Sequence, residues 1–191
     1  MGQASIIAKG NQLPSAELNL GGTATTTKVF LNAAGTAVTA LLDKDALAGS
    51  AGKSFSKIRV YAAGRVTGGG TTNFTPTLYW GTSTTTASNT AICTGATVAV
   101  NSVSGTWTIE ADLEIDYSSV KITGSFSNQV SGSTVTYTAR AVITNVITAS
   151  STPALSFTTQ TAQGFCAAAA FSAGFAGNVA YLDVLQIEMV G

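Results

Sequence analysis

The chain has 191 residues, its nine Lys and Arg are balanced by nine Asp and Glu, and only 9% of its residues carry charge, against about 25% in an ordinary globular protein. That length suits one domain with a substantial core, and the lack of a basic excess excludes neutralising nucleic-acid phosphates as its main business. Histidine is absent, which removes the usual general base near neutral pH, the histidine-dependent triads and most transition-metal sites.

Residues 1–27 show no sustained hydrophobic period. MGQASIIAKG has no basic region followed by an apolar core, so no signal peptide is expected, and Ile6 stands where a myristoylation pattern needs Ser or Thr. The chain is expected to fold in a cytoplasm. LPSAELNL offers Leu13, Leu18 and Leu20 without a partner face of its own, which suggests an extended arm over 1–27 that docks on something else. GGTATTT (21–27) reads as its linker, and 28–191 as the folded body. LLDKDALAG (41–49) is compatible with one short helix closed by Gly49.

From about Ser56 the signal is strand after strand, β-branched and aromatic, bounded by Gly, Ser, Thr or Asn. Ile58, Val60, Ala62 and Val66 alternate with Lys57, Arg59 and Tyr61, giving one buried and one exposed face. TGGGTTN (67–73) turns the chain, and Pro76 in the next strand suits an edge or a bulge. Further strands are predicted over 91–100, 106–117, 120–126, a long one through Val135, Tyr137, Ala139, Ala141 and Ile143, a short one over 155–157, then 165–171 and 179–190. The segment 164–182 is apolar, but it is built from Gly and Ala and contains Ser172 and Asn178, so it predicts two buried strands joined at 172–178, not a membrane span. In YLDVLQIEMV, Leu182, Val184 and Val190 break the parity of Leu185, Ile187 and Met189, which calls for burial on both faces or a bulge near Val184. About eight turn-bounded strands with almost no helix predict an all-β antiparallel sandwich or barrel.

Motifs for chemistry are few. AGSAGKS (48–54) ends like a phosphate-binding loop, but Leu47 stands where the pattern needs Gly and no strand-loop-helix unit surrounds it. Cys93 and Cys166 sit in apolar company and read as buried free thiols. Roughly a quarter of the chain is Ser or Thr, yet without His or a credible Ser-Lys pair none is marked as a nucleophile. No cofactor is implied.

The exception is WTIEADLEIDY (107–117), with Glu110, Asp112, Glu114 and Asp116 at every second position. On a strand such residues share one face about 6.6 Å apart. They form a ladder too straight to converge on a metal at 2.0–2.6 Å, and an open face supplies no pocket to raise one carboxyl pKa. Trp107, Ile109, Ala111, Leu113 and Ile115 make the opposite parity apolar, so Trp107 is expected in the core. The acids should meet basic residues across the ladder, with Lys57, Arg59, Lys121 and Arg140 the candidates, in the same or a neighbouring subunit. Tyr79, Trp80, Trp107, Tyr117 and Tyr137 are available for a sugar platform. Tyr79 and Trp80 point to opposite faces, which leaves one of them a candidate for exposure.

Together, SKIRVYAAGRVTGGGTTNFTPTLYWGTSTTTASNTAI, WTIEADLEIDY and NVAYLDVLQIEMV resemble virion structural proteins of tailed bacteriophages with a jelly-roll fold, over about 56–190. The resemblance implies a jelly-roll-like β-sandwich, no enzymatic activity, a place in the virion and a function as a capsid decoration (cement) protein. Its expected partners are the major capsid protein or other virion subunits and copies of itself, a trimer being favoured, with no nucleic acid and no membrane. The alternative it implies is a tail-associated carbohydrate- or receptor-binding module. The residues expected to touch partners are Leu13, Leu18 and Leu20 of the arm and Glu110, Asp112, Glu114 and Asp116 of the ladder.

Overall fold

The structure, a computed structural model, describes residues 6–9, 16–19, 27–42, 56–158 and 163–190. Its strands are β1 (Ile6–Lys9), β2 (Ala16–Asn19), β3 (Lys28–Val29), β4 (Thr39–Leu42), β5 (Lys57–Thr67), β6 (Asn73–Trp80), β7 (Thr90–Thr94), β8 (Val98–Ala99), β9 (Ser104–Asp116), β10 (Lys121–Ser131), β11 (Val135–Val142), β12 (Ile147–Thr148), β13 (Gln163–Phe171), β14 (Val179–Leu182) and β15 (Val184–Val190). Eight of them have five residues or more, β5, β6, β7, β9, β10, β11, β13 and β15, which are the strands the turn spacing predicted. Leu155 is buried but residues 155–157 form no strand; the chain there turns on a reciprocal pair of hydrogen bonds, Ser156 N to Gln163 Oε1 and Gln163 Nε2 to Ser156 O. The helix expected over 41–49 and the loop at 48–54 fall mostly outside the described residues, and Leu41 and Leu42 belong to β4.

All pairings are antiparallel and fall into two sheets packed face to face. The larger runs β1-β15-β5-β9-β10-β11, with β14 bridging β5 and β2 and β12 beside β10; the smaller runs β3-β13-β6-β7, with β4 beside β13 and β8 beside β6. The chain is thus an all-β sandwich. β5 crosses into β6 of the other sheet, and β13 crosses back into β14, so neighbours in one sheet lead to neighbours in the other; β9, β10 and β11 follow as a meander. The two crossings touch at Gly69 and Gly177, where a Cβ on either would stand under 3 Å from the other's Cα. Buried Asn178 ties them, accepting from Gly69 N (2.8 Å) and donating to Ala173 O (2.7 Å).

Between the sheets lies one apolar core. β5 turns Ile58, Val60, Ala62 and Val66 inward and β9 turns Trp107, Ile109, Ala111 and Leu113 inward, as strict alternation dictates. The smaller sheet answers with Phe74, Leu78, Trp80, Phe165 and Phe171. Trp107 stacks on Phe30 (centroids 5.7 Å apart) and donates from Nε1 to Tyr181 O (3.2 Å). Gly64 makes this possible, because a Cβ there would lie 1.8 Å from that carbonyl. A small second cluster, Val29, Tyr79, Cys166 and Ala168, covers the outer face of the smaller sheet.

Three irregularities resolve ambiguities of the sequence. The last strand breaks at Asp183, whose N–H donates to Ala63 O (2.9 Å), so Ala180 and Leu182 before the break and Leu185, Ile187 and Met189 after it all face the core. A bulge, not burial on both faces within the chain, therefore explains the mixed parity. β10 and β11 slip register between Phe126 and Asn128; Val135, Tyr137 and Ala139 consequently point outward while Ala141 packs against the core and Ile143 lies within it. Pro76 is not on an edge strand, since β6 has β13 on one side and β7 and β8 on the other. Its carbonyl accepts from Gly95 N (2.8 Å) in the gap between β7 and β8, and a residue's N–H and C=O point to the same side of a strand, so the missing donor falls in that gap.

Of the predicted arm, β1 pairs with β15 and β2, which includes Leu18, pairs with β14 of the same chain; Leu13 and Leu20 lie outside the described residues. Low exposure makes a ranking of substitutions testable. Trp107→Ala should cost about 3–5 kcal/mol by cavity formation and Gly64→Ala about 1–3 kcal/mol or more by overpacking, whereas the exposed Thr84→Ala should stay within about 0.5 kcal/mol. Urea unfolding with an unchanged m-value reads all three.

Candidate functional site

The acidic ladder sits on β9, the strand between β5 and β10 in the larger sheet. Register sets what each carboxylate meets: Glu114 lies opposite Lys57, Asp112 opposite Arg59 and Glu110 opposite Tyr61 on the β5 side, while Asp116, Asp112 and Glu110 lie opposite Lys121, Ser125 and Ser127 on the β10 side. All four basic residues expected to face the acids do so, and within one subunit. Lys57 Nζ is 3.8 Å from Glu114, Lys121 Nζ 3.5 Å from Asp116, and Arg59 Nε 3.2 Å from Asp112.

Asp112 is the hub. Arg140 reaches back from β11 to its second oxygen while Arg140 Nε donates to Ser125 Oγ (2.7 Å), and Arg59 also approaches Glu188 of β15 (3.7 Å). The sequence Glu188, Arg59, Asp112, Arg140 thus alternates in sign across the sheet from β15 to β11. These side chains are substantially exposed, where a pair contributes only about 0.2–1 kcal/mol and is screened by salt. The row acts mainly on register, because a wrong pairing would place like charges opposite one another.

Asp116 has a different task. Its Oδ1 accepts from Ser118 Oγ (2.6 Å), Ser118 N (3.0 Å) and Ser119 N (3.1 Å), closing the turn that leads into β10. The Ser118 and Ser119 bonds, which favour the ionised form, hold the carboxyl well below the usual range. Glu110 is the one member of the ladder with no ion pair among the described residues. It borders an open depression of about 550 Å³ lined by Arg59, Tyr61, Asp112, Gln186 and Glu188, and a smaller one of about 200 Å³ toward Tyr137 and Arg140.

This arrangement does not gather reactive groups. Steps of about 6.6 Å along one strand keep the carboxylates from sharing an ion, and among the described residues no three of His, Cys, Asp and Glu come together to hold a metal. Cys93 and Cys166 are free and buried, and burial pushes both thiols up to about 12, which keeps them protonated and inert at neutral pH. Among the described residues no helix is long and apolar enough to cross a membrane.

Aromatic placement narrows the sugar-platform option. Trp80 and Trp107 are in the core, and neither Tyr79 nor Trp80 is exposed, because Tyr79 is buried in the cluster around Cys166. Tyr117 packs on Phe157 (4.8 Å). Tyr137 alone of the five stands in the open.

Sequence reasoning missed Asp183 and Glu188 as members of this face. Asp183 holds Arg65 through two bonds (2.8 and 2.9 Å), with the guanidinium 4.7 Å above the Tyr181 ring. The signal was present: Arg65 shares the parity of Lys57 and Arg59, and Glu188 the exposed parity of Gln186.

Compared with family models, curated proteins and solved structures, the chain matches none.

The depressed carboxyl of Asp116 gives a pH test with a defined sign. The folded state binds this proton only at lower pH than the unfolded chain, so the stabilisation is complete above the unfolded value near 4 and drains as pH falls through the folded one. Urea midpoints measured from pH 6 down to pH 2 should fall less steeply in Asp116→Asn than in the parent protein.

Proposed function

We propose that this protein is a non-enzymatic structural subunit of a phage particle, a capsid decoration protein that stabilises the shell through contacts with the capsid protein and with its own copies. One observation carries this reading: apart from Glu110, the acids of the β9 ladder are answered inside the subunit, Glu114, Asp112 and Asp116 by Lys57, Arg59, Arg140 and Lys121. What remains for a partner among the described residues is mainly hydroxyl, apolar and main-chain surface, which suits packing into an assembly. The chain's resemblance to tailed-phage virion proteins over about 56–190 points the same way.

The N-terminal segment is the element best suited to reach outward. β1 and β2 are short strands laid along a sheet edge, and an edge strand can be supplied by one copy to another or to a neighbouring protein. A second reading, a glycan-binding tail module, is favoured by the depression that places Tyr61 beside Glu110 and Gln186. A glycan array on the purified protein decides for it, and labelling of the particle's head or tail by an antibody separates the two.

Deleting residues 1–27 should abolish binding to capsids while leaving a cooperatively unfolding β-rich protein. Full capsid occupancy by the truncated chain, measured by cosedimentation, would overturn the role of the arm.

A further inference from the structure

Among the described residues, six large apolar side chains are markedly exposed, and four of them, Val135, Tyr137, Val142 and Val146, lie on β11 or just after it. The exposures of Val135 (66%), Tyr137 (64%) and Val142 (78%) exceed anything a solvated strand face needs. β11 is also the last strand of its sheet, with no strand paired to its far side among the described residues. It is eight residues long, VTYTARAV, with no Pro, no Gly and a single charge. That charge, Arg140, is drawn inward onto Asp112 and Ser125, so it guards nothing.

Among the described residues the other edge strands are short or strapped, since β1, β2, β3 and β4 have four residues or fewer. β1 and β2 flank β15 and β14. β7 is strapped by residues 144 and 145, through Thr144 N to Ile92 O (2.7 Å) and Asn145 Nδ2 to Ala91 O (2.6 Å). Soluble proteins guard open edges with charge, Pro or a bulge at the rim, because unpaired main-chain groups beside β-formers recruit another strand. The bulge in β11 falls at Ala139 and Arg140, opposite Ser127 of β10, which leaves Val135 to Thr138 as the regular stretch of its open edge.

We infer that β11 is the site at which a second copy of this chain adds its own β11, antiparallel, across a two-fold axis. The occupant follows from symmetry and chemistry: two identical antiparallel edges are self-complementary by rotation. The exposed Val135, Tyr137 and Val142 of each copy then form one apolar strip over the joint. No acid lies on β11 to meet a basic partner, and its one cation, Arg140, is already held by Asp112 and Ser125, while net charge zero lets two copies approach without repulsion. The contact names the self-association surface of the subunit proposed above, and its two-fold geometry replaces the trimer expected from resemblance. It does not depend on what else the subunit binds.

The test is sedimentation equilibrium of the full chain beside the variants Tyr137→Lys and Val142→Lys. Both positions are exposed, so the fold should survive, which thermal unfolding checks. The parent protein should be a dimer, and each variant should dissociate at least about 100-fold more readily, as loss of a central anchor does. Amide exchange adds an independent readout: β11 amides should be protected in the parent at high concentration and lose that protection on dilution and in both variants. A monomeric or trimeric parent, or a variant dimer of unchanged strength, overturns the inference. Capsid cosedimentation of the parent protein separates this failure from that of the decoration reading: a monomer that binds capsids sinks only the β11 contact, and a dimer that does not bind them sinks only the decoration reading.

Discussion

The strict two-residue alternation of β9 governs the rest of the structure. With Trp107, Ile109, Ala111 and Leu113 buried and Glu110, Asp112 and Glu114 on the other face, only one register against β5 and β10 is tolerable. A slip of one residue would put three carboxylates into the core and the indole into water. Once β9 is fixed, β5 and β10 follow by the same rule, and Arg59 and Lys57 fall opposite their acids without further choice. The weak ion pairs thus inherit their geometry from the core and return a small penalty on wrong pairings, a role that suits their exposed setting better than any contribution to net stability.

Departures from regularity do as much as the regular parts. The break at Asp183 lets one terminal segment bury two successive parities, and it frees the Asp183 carboxylate to receive Arg65. The slip between β10 and β11 turns Tyr137 and its neighbours outward. Asn128, beside that slip, is buried, with Oδ1 accepting from Ala96 N (2.8 Å) and the Nδ2 donor without a protein acceptor, a place where an ordered water is the expected acceptor. Each irregularity re-aims side chains at a particular place, as bulges do.

How far the sequence carried depended on whether burial on one sheet face alone decided a residue's fate. β5 and β9 were legible because their apolar residues keep one parity, and so were the four cations facing the acids. Tyr79 was not, because its burial comes from the outer face of the smaller sheet, where Val29, Cys166 and Ala168 gather around it; that requires knowing that β13 lies between β3 and β6. The long β11 was predicted as one uniform alternation from Val135 to Ile143, and the bulge that exposes its first half has no marker such as Gly or Pro. β1 and β2 were missed as strands for a related reason: each is four residues long, too short for a period to register.

The charge economy of the molecule constrains how it meets any partner. Net charge is zero, and the cations of the broad face already touch acids of the same chain. The field beyond a Debye length of about 8 Å at physiological salt is therefore weak, so encounter is not steered and association proceeds at ordinary diffusive rates. Persistence of a complex must then come from slow dissociation, through apolar burial and main-chain pairing, neither of which salt removes. A hydroxyl-rich surface supports this division, since Ser and Thr hydrate the free protein at little electrostatic cost to close packing. On such a surface, shape and apolar burial outweigh charge in whatever contact forms.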